Sequence, residues 1–325
     1  SPEDIAAQEI INLLKQNVAT EAHDFAGGKL ELLMIKLEPN AIAINKTLEE
    51  VIENYKHIDF RALAIHRRQN TFIPKAHDVF LEGDLVYVIT KPHAIKELMQ
   101  LSGKTKFNVN NVMIVGGGRV GKLTAKRLEN DLNIKILEMD KARCFELTNH
   151  LSDTLVINAD ARNVDLLEEE GIKDMDAFIA VTDNTETNIL TCLQAKSFGV
   201  KRTIALVENI DYIDISQNIG IDTIINKKLI AASYMVRYTL GGNVSSLKCL
   251  SGIDADIVEF VVRDGAAVTN KPINRLEMPD GAIIGGIIRG EDSFIATGNF
   301  QIQPEDTVVV LVLPKTIQAV EKLFR

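Results

Sequence analysis

Long-range internal repetition constrains the fold of this chain more than any local pattern does. A shift of 225 positions lays Ile5-Ala6-Ala7 on Ile230-Ala231-Ala232, Gly27 on Gly252, Ala41 on Ala266 and Asn45-Lys46 on Asn270-Lys271. Beyond Lys46 the shift drifts to 222, where Gly83-Asp84 meets Glu305-Asp306 and Pro92 meets Pro314. Each copy also carries an arginine followed five residues later by Phe-Ile: Arg67 before Phe72-Ile73, and Arg289 before Phe294-Ile295. A drift of three residues is a loop deletion, which costs little chain entropy. Residues 1–100 and 226–325 are therefore expected to be two copies of one unit, a helix followed by a small strand-rich domain.

Within the copies, Leu30–Leu37 and Ile257–Val262 read as strands, followed by short apolar stretches at Leu48–Ile52 and Leu276–Met278. A strand at Ala62–His66 or Ala282–Arg289 precedes a Phe-Ile strand, and a Gly/Glu-Asp turn leads into Leu85–Thr90 or Thr307–Leu313. Helices at Pro92–Leu101 and Pro314–Phe324 close the copies, giving small α+β domains. Helices at 4–16 and 229–240 precede them as connectors.

Residues 107–226 follow a different rhythm. Apolar runs at Asn111–Val115, Ile134–Leu137, Thr154–Ile157, Ala177–Val181, Thr203–Val207 and Thr223–Ile225 are separated by helical segments at 119–130, 186–198 and 211–218. Six strands alternating with helices predict a doubly wound parallel sheet, so the whole chain is α/β, a Rossmann-like sheet flanked by two small α+β domains.

Composition narrows the function. Hydrophobic residues make up 46% and Gly plus Pro only 20 and 8 of 325, which excludes disordered and fibrous classes. The net charge of −9 repels a phosphate backbone, so nucleic acid is not an expected partner. Cys144, Cys192 and Cys249 are odd in number and widely spaced, which suits buried thiols rather than a disulfide or metal framework. No run approaches the roughly 18 apolar residues of a membrane span, and the N-terminus has no secretory pattern.

The chemistry concentrates after the first strand of the middle domain. Gly116-Gly117-Gly118-Arg119-Val120-Gly121 fits G-x-G-x-x-G between a strand and a helix: Gly116 for the tight turn, Gly118 for backbone approach to a pyrophosphate, Gly121 for helix-on-sheet packing. Unpaired amides at the helix start would meet the phosphate charge. Glu138, at the end of the second strand, is placed either to accept from ribose hydroxyls and repel a 2′-phosphate, favouring NAD over NADP, or simply to face water where the strand leaves the sheet. Asp160 after the third strand either accepts from an adenine amino group or caps a turn. Thr182 after the fourth lies on the sheet's carboxyl edge, and Asp183 and Asn184 are candidate caps of the next helix. Arg119 either contacts phosphate or faces water, and Arg143 either neighbours the ribose or is solvated. Five of the six histidines lie outside this domain and none follows a late strand, where a dehydrogenase keeps its general acid, so no enzyme is expected.

The strings V-M-I-V-G-G-G-R-V-G at 112–121, I-L-E-M-D-K-A-R at 136–143, N-A-D-A at 158–161 and F-I-A-V-T-D-N-T-E-T-N-I-L at 178–190, with the two flanking domains, resemble the regulatory subunit of Trk-type potassium uptake systems, built from RCK domains. The resemblance implies a phosphate loop from Gly116 to Val120, hence Gly117 and Val120 as further loop residues, a ribose acid at Glu138, and Asp160 with Thr182 on the adenine side. It also implies a nucleotide-sensing function, with NAD (NAD+ or NADH) or else ATP or ADP as ligand, that gates a membrane-embedded potassium transporter subunit from the inner face of the cell membrane, the chain being cytoplasmic and peripheral. The family's arginine after the fifth strand is missing, with Arg202 at the strand start in its stead. The competing readings are an NAD-dependent oxidoreductase and an interaction scaffold with a vestigial site.

The expected boundaries are 1–25, a connecting helix left from a preceding nucleotide-binding domain that the chain lacks; 26–105, the first small domain; 106–240, the Rossmann-like domain with its trailing helix; and 241–325, the second small domain. Leu229, Ile230, Ala232, Met235, Val236 and Leu240 give helix 229–240 a wide apolar surface, which predicts self-association as a dimer or tetramer.

Overall fold

The computed structural model describes residues 1–16, 21–25, 27–68, 70–104, 107–232, 244–250, 253, 255–313 and 315–325. The chain divides into two compact units, each assembled from two stretches of sequence: residues 1–20 with 107–231, and 21–106 with 232–325.

The first unit holds a six-stranded parallel sheet of β6 (Asn111–Val115), β7 (Asn133–Glu138), β8 (Thr154–Asn158), β9 (Ala177–Ala180), β10 (Arg202–Leu206) and β11 (Thr223–Ile225), in the order β11-β10-β9-β6-β7-β8. That is the doubly wound order, and the winding reverses between β6 and β9. The central strands β9 and β10 are buried at every residue, as parallel strands covered on both faces must be, while the edge strand β8 is only partly covered. Helices α6 (Val164–Glu169), α7 (Thr185–Ser197) and α8 (Asp211–Asn218) share one face through Leu167, Cys192, Ala195 and Ile213, packed on Met113, Phe178 and Ala205.

On the opposite face α4 (Arg119–Leu128) follows β6 and α5 (Lys141–His150) follows β7. Helix α1 (Pro2–Gln16) packs beside α4 and against β11 and buries Ala6, Ala7, Ile10, Ile11, Leu13 and Leu14. Arg202, wholly buried at the start of β10, donates to the Leu13 carbonyl near the end of α1 at 3.4 Å. Burial presses its guanidinium pKa down and Asp222 opposes that. Arg202 is thus a tie for α1 at the amino end of its strand, the edge of the sheet opposite the phosphate loop.

The second unit contains the two repeats. The first has the antiparallel order β1-β2-β5-β3-β4, from β1 (Glu21–Phe25), β2 (Leu30–Lys36), β3 (Phe60–Arg67), β4 (Asn70–Phe72) and β5 (Leu85–Thr90), and is closed by helix α3 (Ile95–Leu101). The second has the same order, β12-β13-β16-β14-β15, from β12 (Val244–Cys249), β13 (Asp256–Val261), β14 (Ala282–Arg289), β15 (Asp292–Ile295) and β16 (Thr307–Val312). The repeat holds at the level of single hydrogen bonds. Arg67 Nε and Nη2 each donate to Asp84 at 2.7 Å, and Arg289 donates to Asp306 at 2.7 and 2.8 Å. In each copy a backbone N–H three residues before the aspartate, Leu81 or Gln303, completes its shell.

The copies differ where their turns differ. Thr47 and Glu50 form a reciprocal capping box that starts α2 (Leu48–Asn54). The corresponding residues, Pro272 and Arg275, offer no such cap, and the chain there makes only a 3-10 turn, Ile273–Arg275. One face of each sheet packs on the other copy: Leu30, Leu32, Leu63 and Ile89 share a core with Ile257, Ile288, Val309 and Leu311. Val258, Phe260, Val308 and Val310 point the other way, onto Val320 and Phe324 of the closing segment. Strands β1 and β12 were not expected from the sequence. Cys144 and Cys192 are buried, whereas Cys249 is half-buried, a correction to the expectation for that thiol. Gly252, Pro314 and residues 233–240, including Met235, Val236 and Leu240, lie outside the described residues.

Candidate functional site

A cleft of about 430 Å³ opens at the carboxyl ends of β6, β7, β8 and β9, where the winding reverses. Ligands of open α/β sheets bind at such switch points. Gly116, Gly118, Glu138, Asp160 and Thr182 line it, together with Arg143 and Asp140.

Sterics explain three of the four glycines of the loop. Gly116 has φ +102°, and a Cβ there would stand 2.9 Å from the Thr182 nitrogen. At Gly121 a Cβ would stand 2.0 Å from the Gly116 carbonyl oxygen, so α4 can seat on the loop only through a glycine. Gly118, the N-cap of α4, adopts an ordinary extended conformation with open space where its Cβ would be. Gly117 is set by contacts that the motif does not specify: a Cβ would stand 2.4 Å from Leu147 Cδ1, and its N–H donates to Glu138 Oε2 at 2.8 Å.

Asp140, Asn163 and Asn184 cap α5, α6 and α7 with side-chain oxygens. No side chain caps α4. Its first amides therefore keep their partial positive charge toward the loop.

Glu138 is buried with both oxygens engaged, Oε2 by Gly117 N–H and Oε1 by Asp140 N–H at 2.8 Å each, and Arg143 Nη1 lies 3.6 Å from Oε2. This geometry rules out a carboxylate that merely faces water at the end of its strand. Asp160 accepts from the Arg162 guanidinium at 2.7–3.1 Å and from its N–H at 3.0 Å, which holds the carboxyl below the usual range. The turn-capping bond thus exists while the carboxylate still faces the cleft. Thr182 is fixed by Asn188, buried on α7. The Asn188 Oδ1 accepts the Thr182 hydroxyl at 2.6 Å and its N–H at 3.0 Å, and the Asn188 Nδ2 donates to the carbonyls of Thr182 and Leu206. Sequence reasoning passed over Asn188; the available signal was a polar residue on the buried stripe Asn188, Thr191, Cys192 and Ala195 of α7.

Gly117, Arg119 and Val120 do not line the cleft. Val120 is buried on the inner face of α4, and Arg119 turns outward to Asp4 on α1. The geometry brings together an uncapped helix start, a glycine turn, a buried carboxylate and an adjacent arginine, a set suited to holding an anion-bearing ligand with vicinal hydroxyls.

The model of the TrkA-N domain matches residues 112–227, and that of the TrkA-C domain matches twice, at 32–103 and 257–325. The chain belongs to the TrkA family. The TrkA-N match runs over the six-stranded sheet, and the paired TrkA-C matches fall on the two repeats. The chain is 32% identical over 327 residues to the Trk system potassium uptake protein TrkA homolog 2 of Methanosarcina mazei, and 31% identical over 329 residues to Trk system potassium uptake protein TrkA of Haemophilus influenzae. Each comparison covers 100% of this chain and 72% of the relative. Among solved structures, the GsuK RCK domain aligns with a TM-score of 0.50 at 16% identity over 99% of this chain and 69% of its own. The GsuK channel bound to NAD aligns with a TM-score of 0.50 at 16% identity over 99% of this chain and 57% of its own. At those identities the likeness is one of fold. TrkA chains are regulatory, non-catalytic subunits of potassium uptake. Among the described residues no helix is long and apolar enough to cross a membrane.

Proposed function

We propose that the cleft binds the adenine nucleotide moiety of NAD or NADH, with ATP and ADP as alternative ligands, and that occupancy regulates a membrane-embedded potassium transporter subunit. The observation that carries this reading is the convergence of the uncapped Gly116–Gly118 turn with Glu138, Asp160 and Thr182 in one cleft at the switch point. A volume of about 430 Å³ falls within the roughly 300–1,000 Å³ of small-molecule sites. The residues fit the ligand: Gly116 and Gly118 leave the backbone open to a phosphate, the first amides of α4 face it, Glu138 accepts from the ribose, and Asp160 with Thr182 stands on the adenine side. The GsuK channel, which shares the fold, binds NAD. In this reading the chain works as an oligomer on the inner face of the membrane, as a peripheral partner of the transporter. Titrating the purified chain calorimetrically with NAD, NADH, ATP and ADP tests the proposal and ranks the ligands. Saturable binding of one nucleotide per cleft supports it, and absence of binding by all four removes it.

A further inference from the structure

Arg119 is the first residue of α4, beside Gly118, yet its guanidinium is directed out of the cleft. Its Nη2 lies 3.7 Å from Asp4 Oδ2 in the first turn of α1. The same carboxylate receives Arg127 Nη2 at 3.1 Å, and Arg127 Nη1 donates further to the Asp4 carbonyl at 3.3 Å and to Gln8 Oε1 at 3.4 Å. One acid on α1 is thus shared by two arginines of α4. Arg127 holds it through several bonds; Arg119 holds it through one longer approach and is 62% exposed.

We propose that Asp4 sets the affinity of the cleft by competing with ligand phosphate for Arg119. The proposal rests on reading the cleft as a nucleotide site. An exposed ion pair of this length is weak. A phosphate at the start of α4 offers the guanidinium more negative charge and a bidentate geometry, so it draws Arg119 away. Arg127 stays on Asp4 and Gln8, so α1 keeps its place while the tie from Arg119 is released. Ligand binding must then work against the attraction between Asp4 and Arg119, and by linkage removing the Asp4 charge tightens binding by the same free energy. The competition requires a phosphate, so a ligand without one must be indifferent to Asp4.

The test is calorimetric titration of the full chain with ADP and with adenosine, at low ionic strength, for wild type, Asp4→Asn, Arg119→Gln and the double variant. Asp4→Asn is expected to tighten ADP by about two- to fivefold and leave adenosine unchanged. Arg119→Gln is expected to weaken ADP, and the double variant to match Arg119→Gln alone. An ADP affinity in Asp4→Asn equal to or weaker than that of wild type, or an equal gain for adenosine, overturns the proposal while the cleft remains a nucleotide site. Wild type that binds neither compound overturns the nucleotide reading and the proposal with it.

Discussion

Glu138 shapes the loop as well as lining the cleft. Its two oxygens hold Gly117 and Asp140 by their N–H groups, and each oxygen retains acceptor capacity for a further hydrogen bond. Glu138→Gln keeps the shape but sets an amide donor against one of those N–H groups and removes the charge that repels a 2′-phosphate. Charge-assisted hydrogen bonds contribute roughly 1.5–3 kcal/mol, so NADH affinity is expected to fall about tenfold or more and the preference for NADH over NADPH to narrow. Measuring both affinities in both proteins checks this, and an unchanged preference would show that the ribose is read elsewhere. The roles of Gly116 and Gly121 were legible from spacing alone, because each depends on the chain within the motif or on the sheet beside it. Those of Gly117 and Asn188 were not, since they depend on Leu147 and Leu206, brought in by other elements.

Among the elements, parallel strands announce themselves as continuous apolar runs, and all six were legible. Strands β1 and β12 were missed because Glu21–Phe25 and Val244–Cys249 mix polar and apolar residues, and only pairing with β2 and β13 makes them strands. The placement of α1 beside α4 was equally hidden, since an apolar stripe shows that a helix packs but not on what. The far end of α4 gives a pH signature. Glu129, at its C-cap, accepts from Lys126 Nζ, the N–H groups of Ser152 and Asp153 and the Thr154 hydroxyl, fixing the turn that leads into β8. Burial pushes its pKa up; the Lys126 ammonium and the other three donors pull it down by more, leaving it below the ordinary glutamate value. A carboxyl depressed in the folded state stabilises fully above its unfolded pKa and loses that contribution as pH falls through the folded value. The stability gap between wild type and Glu129→Gln is therefore expected to be flat from neutral pH to about pH 5 and to close as pH drops below about 4. Thermal unfolding across pH measures it, and a gap that widens in acid would contradict the assignment.

At the scale of the molecule, the chain enters each unit twice, so neither unit is a contiguous piece of sequence. The duplication seen in the sequence is real, but the paired copies are not interchangeable. Leu63 of the first copy corresponds, at a shift of 222, to Gly285 of the second, and the two meet: a Cβ at Gly285 would stand 3.0 Å from Leu63 Cδ1. At the adjacent Gly286 a Cβ would stand 2.6 Å from Leu30 Cδ1. Large residues on one sheet thus fill space left by glycines on the other. Gly286→Val is expected to overpack this core and destabilise the protein by roughly 1–3 kcal/mol. Combining it with Leu30→Ala should cost less than the sum of the two changes, because the cavity made by one accepts the methyls of the other. Denaturant unfolding of the four proteins gives the coupling, and strict additivity would show that the two residues do not meet.

The most direct measurement of the central claim uses Gly118→Asp. The extended backbone of Gly118 suits any residue, space is open at its Cβ, and aspartate is a favoured N-cap, so α4 gains a cap where it has none. The same carboxylate would occupy the loop where a ligand phosphate must sit and repel it. Titrating NADH into wild type and Gly118→Asp should give saturable binding in the first and none in the second, with a thermal midpoint equal to or above that of wild type. Equal NADH affinity in the two proteins would contradict the account.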